Sequence, residues 1–417
     1  MNDTSFPFFL PNNPFLGFGV ASYDTLSGIR PGQNWCFSGS LWEGVHKDCF
    51  RMCLSSIPRQ PEEYVNDYPV SYFDVRDSGY CVFVSYFSII VEDRPVFYCF
   101  AMAVYPKNVK TNSYFIDSVY QQISLLTMRI HKIIEFNSTV KLNESDIHDS
   151  IVILYEIMCA NMSKPSPPKY TISPQFVSAA LTSHLQTQMT TIIEVKTYEE
   201  AESLFNFLGC FLFENQIEMS SKTIRSHPVP GLFLQIVCIH QELPYEYLWQ
   251  FQRPWTWIRM SQQQVIQSPE IDTQKGVFKE FRSCVQMRYN EEIISCKSKM
   301  QKTYRPKFIL SNKWSLSIIE QFNKTPHQIR TYFCEQQLGH YMRIACVMIE
   351  KINASMKNSN SPFLSQENAQ QIEHQLNLTD KEESKAIVAI AQLFDGLAFK
   401  RMYAGRKEVF MQMIATI

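Results

Sequence analysis

A chain of 417 residues is longer than one hydrophobic core usually organises, so its length predicts two or three domains. Lys and Arg (39) almost balance Asp and Glu (40), and a formal net charge of -1 excludes the basic footprint that nucleic-acid binding needs. The 12 cysteines lie at irregular spacings inside apolar runs, as at Cys81, Cys99, Cys210, Cys238 and Cys346, which predicts buried free thiols in a reducing compartment rather than a disulfide framework.

The N-terminus is rich in Phe but carries Asp3, Pro7, Pro11 and Pro14 and no basic start, which argues against a secretory signal. No uncharged apolar run reaches the roughly 18 residues of a membrane span. The expectation is a soluble cytoplasmic protein, in which Asn-x-Ser/Thr triplets such as Asn137-Ser138-Thr139 are chance matches rather than glycan sites.

Residues 1–14 show no periodicity and read as a tail. A strand is expected over 18–23, then a turn-rich reversal over 24–32 before Trp35. Gly17 and Gly19 lack the third glycine of a dinucleotide fingerprint and fall at a strand's start, so they read as close strand packing. Residues 70–75, a turn at 76–79, and the apolar runs 80–91 and 96–105 predict an antiparallel meander. Helices are expected over 118–136, where Val119, Ile123, Leu126, Ile130, Ile133 and Ile134 form a stripe, and over 146–160. Residues 161–175, with Pro165, Pro167 and Pro168, read as a stiff interdomain linker.

The second half opens on an amphipathic segment ending Ser183-His184-Leu185-Gln186-Thr187. A β-branched strand over 190–195 leads to a helix over 198–213 that begins on a capping box of Thr197 and Glu200. The apolar run 232–239 supplies the next strand, and strand, crossover helix and strand predict an α/β sheet. Trp249, Trp255 and Trp257 around Arg253 and Pro254 suit either a partner surface or, more simply, a strand packed on the sheet. Residues 295–307 read as a basic solvated loop, residues 338–352 as a helix, and a last helix is expected from Thr379 with Glu382 as a second capping box.

These elements in this order resemble a longin domain followed by a DENN module. Asp24, Gly28, Arg30 and Trp35, the pentapeptide 183–187, Gly231-Leu232-Phe233, Leu376-Asn377-Leu378-Thr379 and Gly405-Arg406 narrow the likeness. Together they resemble the chromosome nine open reading frame seventy-two family, the longin and DENN proteins linked to amyotrophic lateral sclerosis and frontotemporal dementia, in a shorter, invertebrate-type form. The chain is short for that family around the linker and Trp255. The resemblance implies a tail at 1–14, a longin domain at 15–160, a linker at 161–175 and a DENN module at 176–417, its α/β part at 176–294 and its helical part at 314–417.

Motifs for intrinsic chemistry are missing from the sequence. Cys49 and Cys53 form the only close thiol pair, which disfavours zinc, and neither a P-loop nor a Gly-x-Ser-x-Gly elbow occurs. His184 sits beside Leu185 and reads as a structural histidine bonded to backbone rather than a general base. No catalytic residue is therefore assigned, and no cofactor or metal is expected.

Two functions follow from the resemblance. In one, the chain regulates small GTPases of the Rab or Arf class as an exchange-factor-like DENN protein in endosome, lysosome and autophagy traffic. In the other, it is a non-catalytic scaffold that stabilises a partner DENN protein carrying the GTPase-activating residue. Arg30, Arg76 and Arg406 are the arginines considered for an activating finger, each also explicable as a surface or packing residue. The implied partners are a second longin and DENN protein in a heterodimer, a WD-repeat protein and the GTPase. Membrane association is implied to be peripheral, through the complex, with recruitment from the cytoplasm to lysosomes or endosomes. A longin sheet offers an open edge for such pairing, expected near 18–23 or 70–75.

Overall fold

A computed structural model describes residues 12–24, 28–36, 39–55, 68–91, 94–137, 144–165, 172–238, 245–287, 290–357 and 363–403. The chain divides into two compact units, Met1–Ala160 with Arg282–Ile294, and Asn161–Phe281 with Ser295–Ile417. Each carries one β-sheet, so the fold is mixed α/β. Among the described residues no helix is long and apolar enough to cross a membrane.

Unit 1 is built on five antiparallel strands, β1 (Phe15–Asp24), β2 (Gly28–Cys36), β3 (Val70–Val75), β4 (Tyr80–Val91) and β5 (Arg94–Val104), in the order β2-β1-β5-β4-β3. The long apolar runs became β4 and β5 because both faces of these central strands are covered. Val82 and Val84 point to helix α1 (Gly39–Ser55) together with Cys49, Phe50 and Cys53. The alternate residues Phe83 and Phe87 point the other way, meeting Tyr120 and His131 of α2 (Ser113–Asn137) at ring separations of 6.2 and 4.5 Å. Helix α3 (Glu144–Cys159) packs on α2, where Arg129 donates to Ser150 at 2.7 Å. Gly79 closes the β3–β4 turn at φ 85°, a left-handed conformation that costs a side chain free energy. Gly17 and Gly19 lie inside β1, paired with β2 and β5.

Two expectations are corrected here. The reversal at 24–32 ends early, since β2 already starts at Gly28, and the 18–23 segment is an interior strand between β2 and β5. Helix α1 was not anticipated at all, because Gly44, Asp48 and Arg51 dilute its apolar stripe.

Unit 2 begins with α4 (Pro174–Gln186), whose Pro174 occupies the first helical position, where a missing N–H costs nothing. Before it, Met162 and Pro165 are buried against Gly209; a Cβ there would lie 3.0 Å from the Met162 methyl. The chain then forms β6 (Thr191–Glu194), α5 (Tyr198–Gly209), α6 (Glu214–Ile217), β7 (Ser221–Arg225), β8 (Leu234–Val237), α7 (Tyr245–Leu248), β9 (Thr256–Arg259) and β10 (Gln264–Gln267). Next come α8 (Ile271–Gln286), α9 (Asn290–Thr303), β11 (Lys307–Phe308), α10 (Lys313–Lys324), α11 (Arg330–Lys357), α12 (Gln366–Gln375), α13 (Lys381–Phe394) and α14 (Ala398–Tyr403). The sheet order is β11-β10-β9-β6-β8-β7. Strands β9, β6, β8 and β7 are parallel, and β10 and β11 add antiparallel at one side.

The expected strand, helix and parallel strand are β6, α5 and β8, but the chain visits the edge as β7 before returning to β8. Residues 295–307 are largely helix α9 rather than a loop. Glu291 and Glu292 in its first turn and Lys302 in its last suit the helix dipole, which a reading by apolar content overlooks.

Both capping boxes are also corrected. Thr197 stands at the helix boundary, but its side chain accepts no backbone N–H; its hydroxyl engages Glu199, and Glu200 accepts from Lys196 N at 3.1 Å. At α13 the cap is Asp380, not Thr379, and its carboxylate accepts from Glu382 and Glu383 N at 2.8 and 3.3 Å. A carboxylate at this place also gains from the helix dipole, which a hydroxyl does not. Asp380→Ala should therefore cost about 1 kcal/mol and Thr197→Ala less than about 0.5. Leu204→Ala, at a position 1 % exposed, should cost about 2 to 5 kcal/mol through the cavity it opens. Urea denaturation of the three variants measures this order, and an equal loss for Thr197 and Asp380 would contradict the capping geometry.

Candidate functional site

Helix α4 is the centre of unit 2. Ten successive residues from Phe176 to Leu185 are buried, so the helix is enclosed rather than amphipathic, and it packs against β9, β10, α5, α10 and α13. Each polar side chain on it must then find a protein partner. Ser178 lies 2.6 Å from Ser315 Oγ, and Asn312 Nδ2 donates to Thr182 Oγ1 at 2.7 Å. Asn312 also caps α10 by accepting from Ser315 N at 3.0 Å. Ser183 and Thr187 both reach Thr256 Oγ1 of β9 at 2.7 Å. His184 Nδ1 lies 2.8 Å from Thr191 Oγ1 of β6. Gln186 Nε2 donates to the Glu382 carboxylate of α13 at 2.8 Å. The pentapeptide 183–187 thus fixes α4 to two strands and a helix distant in sequence.

His184 is fully buried, and its pKa is lowered from 6.5 to about 3, since burial outweighs the opposing Leu208 backbone. A neutral ring without solvent access holds structure and does not exchange protons with a substrate. The ring meets the Thr191 hydroxyl as well as the Leu208 backbone, so a backbone partner, as expected of a structural histidine, is joined by a side-chain one.

The tryptophan cluster is core. Trp249, Trp255 and Trp257 are 5, 3 and 0 % exposed, so no partner surface is made of them. Trp257 Nε1 donates to Glu194 Oε2 at 2.7 Å, and Arg259 Nε meets the same oxygen at 3.2 Å. Arg253 stacks over Phe233 at 3.9 Å and donates to Gly231 O, which ties down the 231–233 segment. Cys49 and Cys53 are buried thiols on α1, and burial pushes Cys49 up to about 12, the chemistry of an inert protonated thiol. Cys81, Cys99, Cys159, Cys210, Cys238, Cys334 and Cys346 are likewise free, but Cys159 and Cys346 are exposed and Cys238 half-buried, against the expectation of buried thiols.

Of the arginines considered as fingers, Arg30 is exposed on β2, and Arg76 follows β3 with its Nε 2.9 Å from Asp74 Oδ2. Arg406 lies outside the described residues, as do the tail 1–11 and linker residues 166–171. The sheet of unit 1 ends on β2 and β3, so 70–75 is an edge strand. It pairs with β4 on one side, and among the described residues no strand lies on the other. Tyr72, Phe73 and Val75 are half-buried.

Unit 2 contains a cavity of about 380 Å³ beside the pentapeptide, between the end of α4, β10, residues 307–312 and α13. Gln186 lies on its wall and accepts from Gln267 Nε2 at 3.3 Å, while Lys385 meets the Glu382 carboxylate at 2.9 Å. Gln188 and Gln392 also line it and are buried. Sequence reasoning missed both: Gln188 is set by a left-handed backbone, and Gln392 comes into reach only when α13 docks on α4.

The C9orf72-like protein family model matches residues 48–274, more than half of the chain. No curated protein matches it.

His184 gives a pH signature. Its folded pKa is depressed, so the stability gained by keeping it neutral is complete above pH 6.5 and is lost as pH falls toward about 3. The slope is about 1.4 kcal/mol per pH unit in that window. His184→Gln should flatten the decline of the urea midpoint between those values; a variant with the parental slope would refute a buried neutral ring.

Proposed function

The chain belongs to the C9orf72-like protein family, and we propose that it is a DENN-type regulator of Rab- or Arf-class small GTPases, working as one subunit of a complex in endosome, lysosome and autophagy traffic. In this reading unit 1 is the longin domain and unit 2 the DENN module. Five antiparallel strands with helices on both faces suit the first, and a mainly parallel sheet with a helical C-terminal part suits the second.

The observation that carries the proposal is the edge strand β3. An edge strand offers backbone N–H and C=O groups to a second sheet, and three half-buried apolar or aromatic side chains would become covered on pairing. The partner is a second longin and DENN protein, with a WD-repeat protein as a further subunit and membrane recruitment through the complex.

A second reading, a scaffold whose partner carries the activating residue, draws on Arg76. This side chain is engaged by Asp74, and both are about half exposed, so solvent screens the pair and its attraction is weak. That is too little to prevent movement but leaves Arg76 without the positioning a finger needs.

Coexpression with the partner should convert an aggregating or self-associating chain into a soluble heterodimer. The copurified complex, assayed on Rab and Arf proteins for nucleotide release and for GTP hydrolysis, separates exchange from activation. Arg76→Ala should change stimulated hydrolysis by less than about tenfold, against the roughly 10³ to 10⁵ of a true finger. A monodisperse lone chain with full activity on a GTPase would overturn the subunit reading.

A further inference from the structure

We propose that the cavity beside the α4 pentapeptide binds a neutral, planar, nitrogen-rich small molecule of the purine-base class, read by the side-chain amides of Gln188 and Gln392. Nothing in the GTPase reading requires this site, and the proposal does not depend on that reading.

The cavity is built rather than incidental. After α4 the chain turns back into β6 through two left-handed residues, Gln188 at φ 55° and Met189 at φ 64°, with Met189 N donating to His184 O at 2.8 Å. Such conformations cost a side-chain-bearing residue free energy, and glycine would make the turn more cheaply. What glutamine adds at 188 is an amide held in the cavity wall at 4 % exposure. Gln392 enters from α13 at 6 % exposure.

Both amides are underused. Gln188 Nε2 lies 3.5 Å from Ala389 O and Gln392 Nε2 3.5 Å from Gly396 O, the outer limit of a hydrogen bond. Among the described residues no donor reaches either Oε1. Buried amides with weak partners carry a desolvation cost that a ligand with matching groups relieves. The neighbouring Gln186 is different: Glu382 and Gln267 saturate it, so it supports the wall instead of facing a ligand.

The ligand class follows from charge, size and shape. The lining acids Glu270 and Glu382 are matched by Lys307 and Lys385, and no arginine lines the cavity, so neither a phosphate nor a carboxylate finds a fork-shaped partner. Although burial raises the Glu382 pKa, Gln186 and Lys385 lower it further, which keeps that carboxylate ionised and its Lys385 partner engaged. A volume of about 380 Å³ accommodates a nucleoside-sized molecule. Pro254, Pro269 and Ile271 offer apolar contact for a flat ring. A carboxamide presents one donor beside one acceptor, which matches the amino group and ring nitrogen along an adenine edge.

The full-length chain is titrated with adenosine by calorimetry and by saturation-transfer NMR. Saturable binding is expected, weakened about tenfold by Gln188→Gly and by Gln392→Leu and unchanged by Lys307→Ala. Gln188→Gly keeps the left-handed turn, so its melting temperature should not fall, and it remains informative if Gln392→Leu destabilises α13. Inosine, lacking the amino group, should bind about tenfold more weakly, and adenosine monophosphate no more tightly than adenosine. No saturable binding up to about 5 mM, binding indifferent to both glutamine variants, or tighter binding of the monophosphate would each overturn the proposal.

Discussion

Unit 2 depends on one constraint: a helix buried over ten successive residues carries, together with its C-cap Thr187, six polar side chains that need protein partners. An unpaired buried hydroxyl or imidazole costs about 1 to 3 kcal/mol, so leaving several unmet would consume much of a domain's stability. The partners come from Thr191 and Thr256 in the sheet, from Asn312 and Ser315 at the start of α10, and from Glu382 at the start of α13. Each bond fixes both register and distance, whereas apolar packing alone tolerates sliding. The hydroxyls therefore specify how α4 docks, while Leu181, Leu185 and their neighbours supply the burial that drives it.

The same logic separates structural from functional polarity. His184 and Asn312 have strong protein partners at 2.7–2.8 Å, and their chemistry is spent on the fold. Gln188 and Gln392 are as buried but have partners only at 3.5 Å. In unit 1 the contrast lies in the backbone instead. Strand β1, once expected at an edge, is satisfied by β2 and β5, while among the described residues β3 pairs on one side alone.

Period-two and helical apolar patterns in the sequence located β3, β4, β5, α2, α3 and β6, because in each of these burial is the dominant force. Elements held by other forces were harder to read. Helix α9 is polar, with Ile294 68 % exposed, and rests on charge placement at its ends. Strand β7, with Lys222 and Thr223 on a sheet edge, has little apolar signature. The capping boxes had the right spacing, but a Thr hydroxyl lost to a neighbouring carboxylate in one case and an Asp one residue later in the other. The tryptophans are core, as the simpler of the two sequence readings had it, while the Trp257 N–H bond to Glu194 at the end of β6 is a pairing that no local pattern foretells. The cavity was illegible for the same reason, since its amides meet only after residues about 200 positions apart have come together.

The family match ends at residue 274, within α8, yet the buried network does not. Asn312, Ser315 and Glu382 all lie beyond it, and they satisfy Ser178, Thr182 and Gln186 inside it. Removing everything after the matched segment would take away these partners and expose to water the face of α4 that α10 and α13 bury. The main loss is the burial of the apolar residues on that face, which drives the docking of α4. The helices α10 and α13 are therefore part of the fold of unit 2 rather than an appendage to it. Any partner or ligand that displaces α13 must also break the Gln186–Glu382 bond, so the cavity and the pentapeptide cannot vary independently.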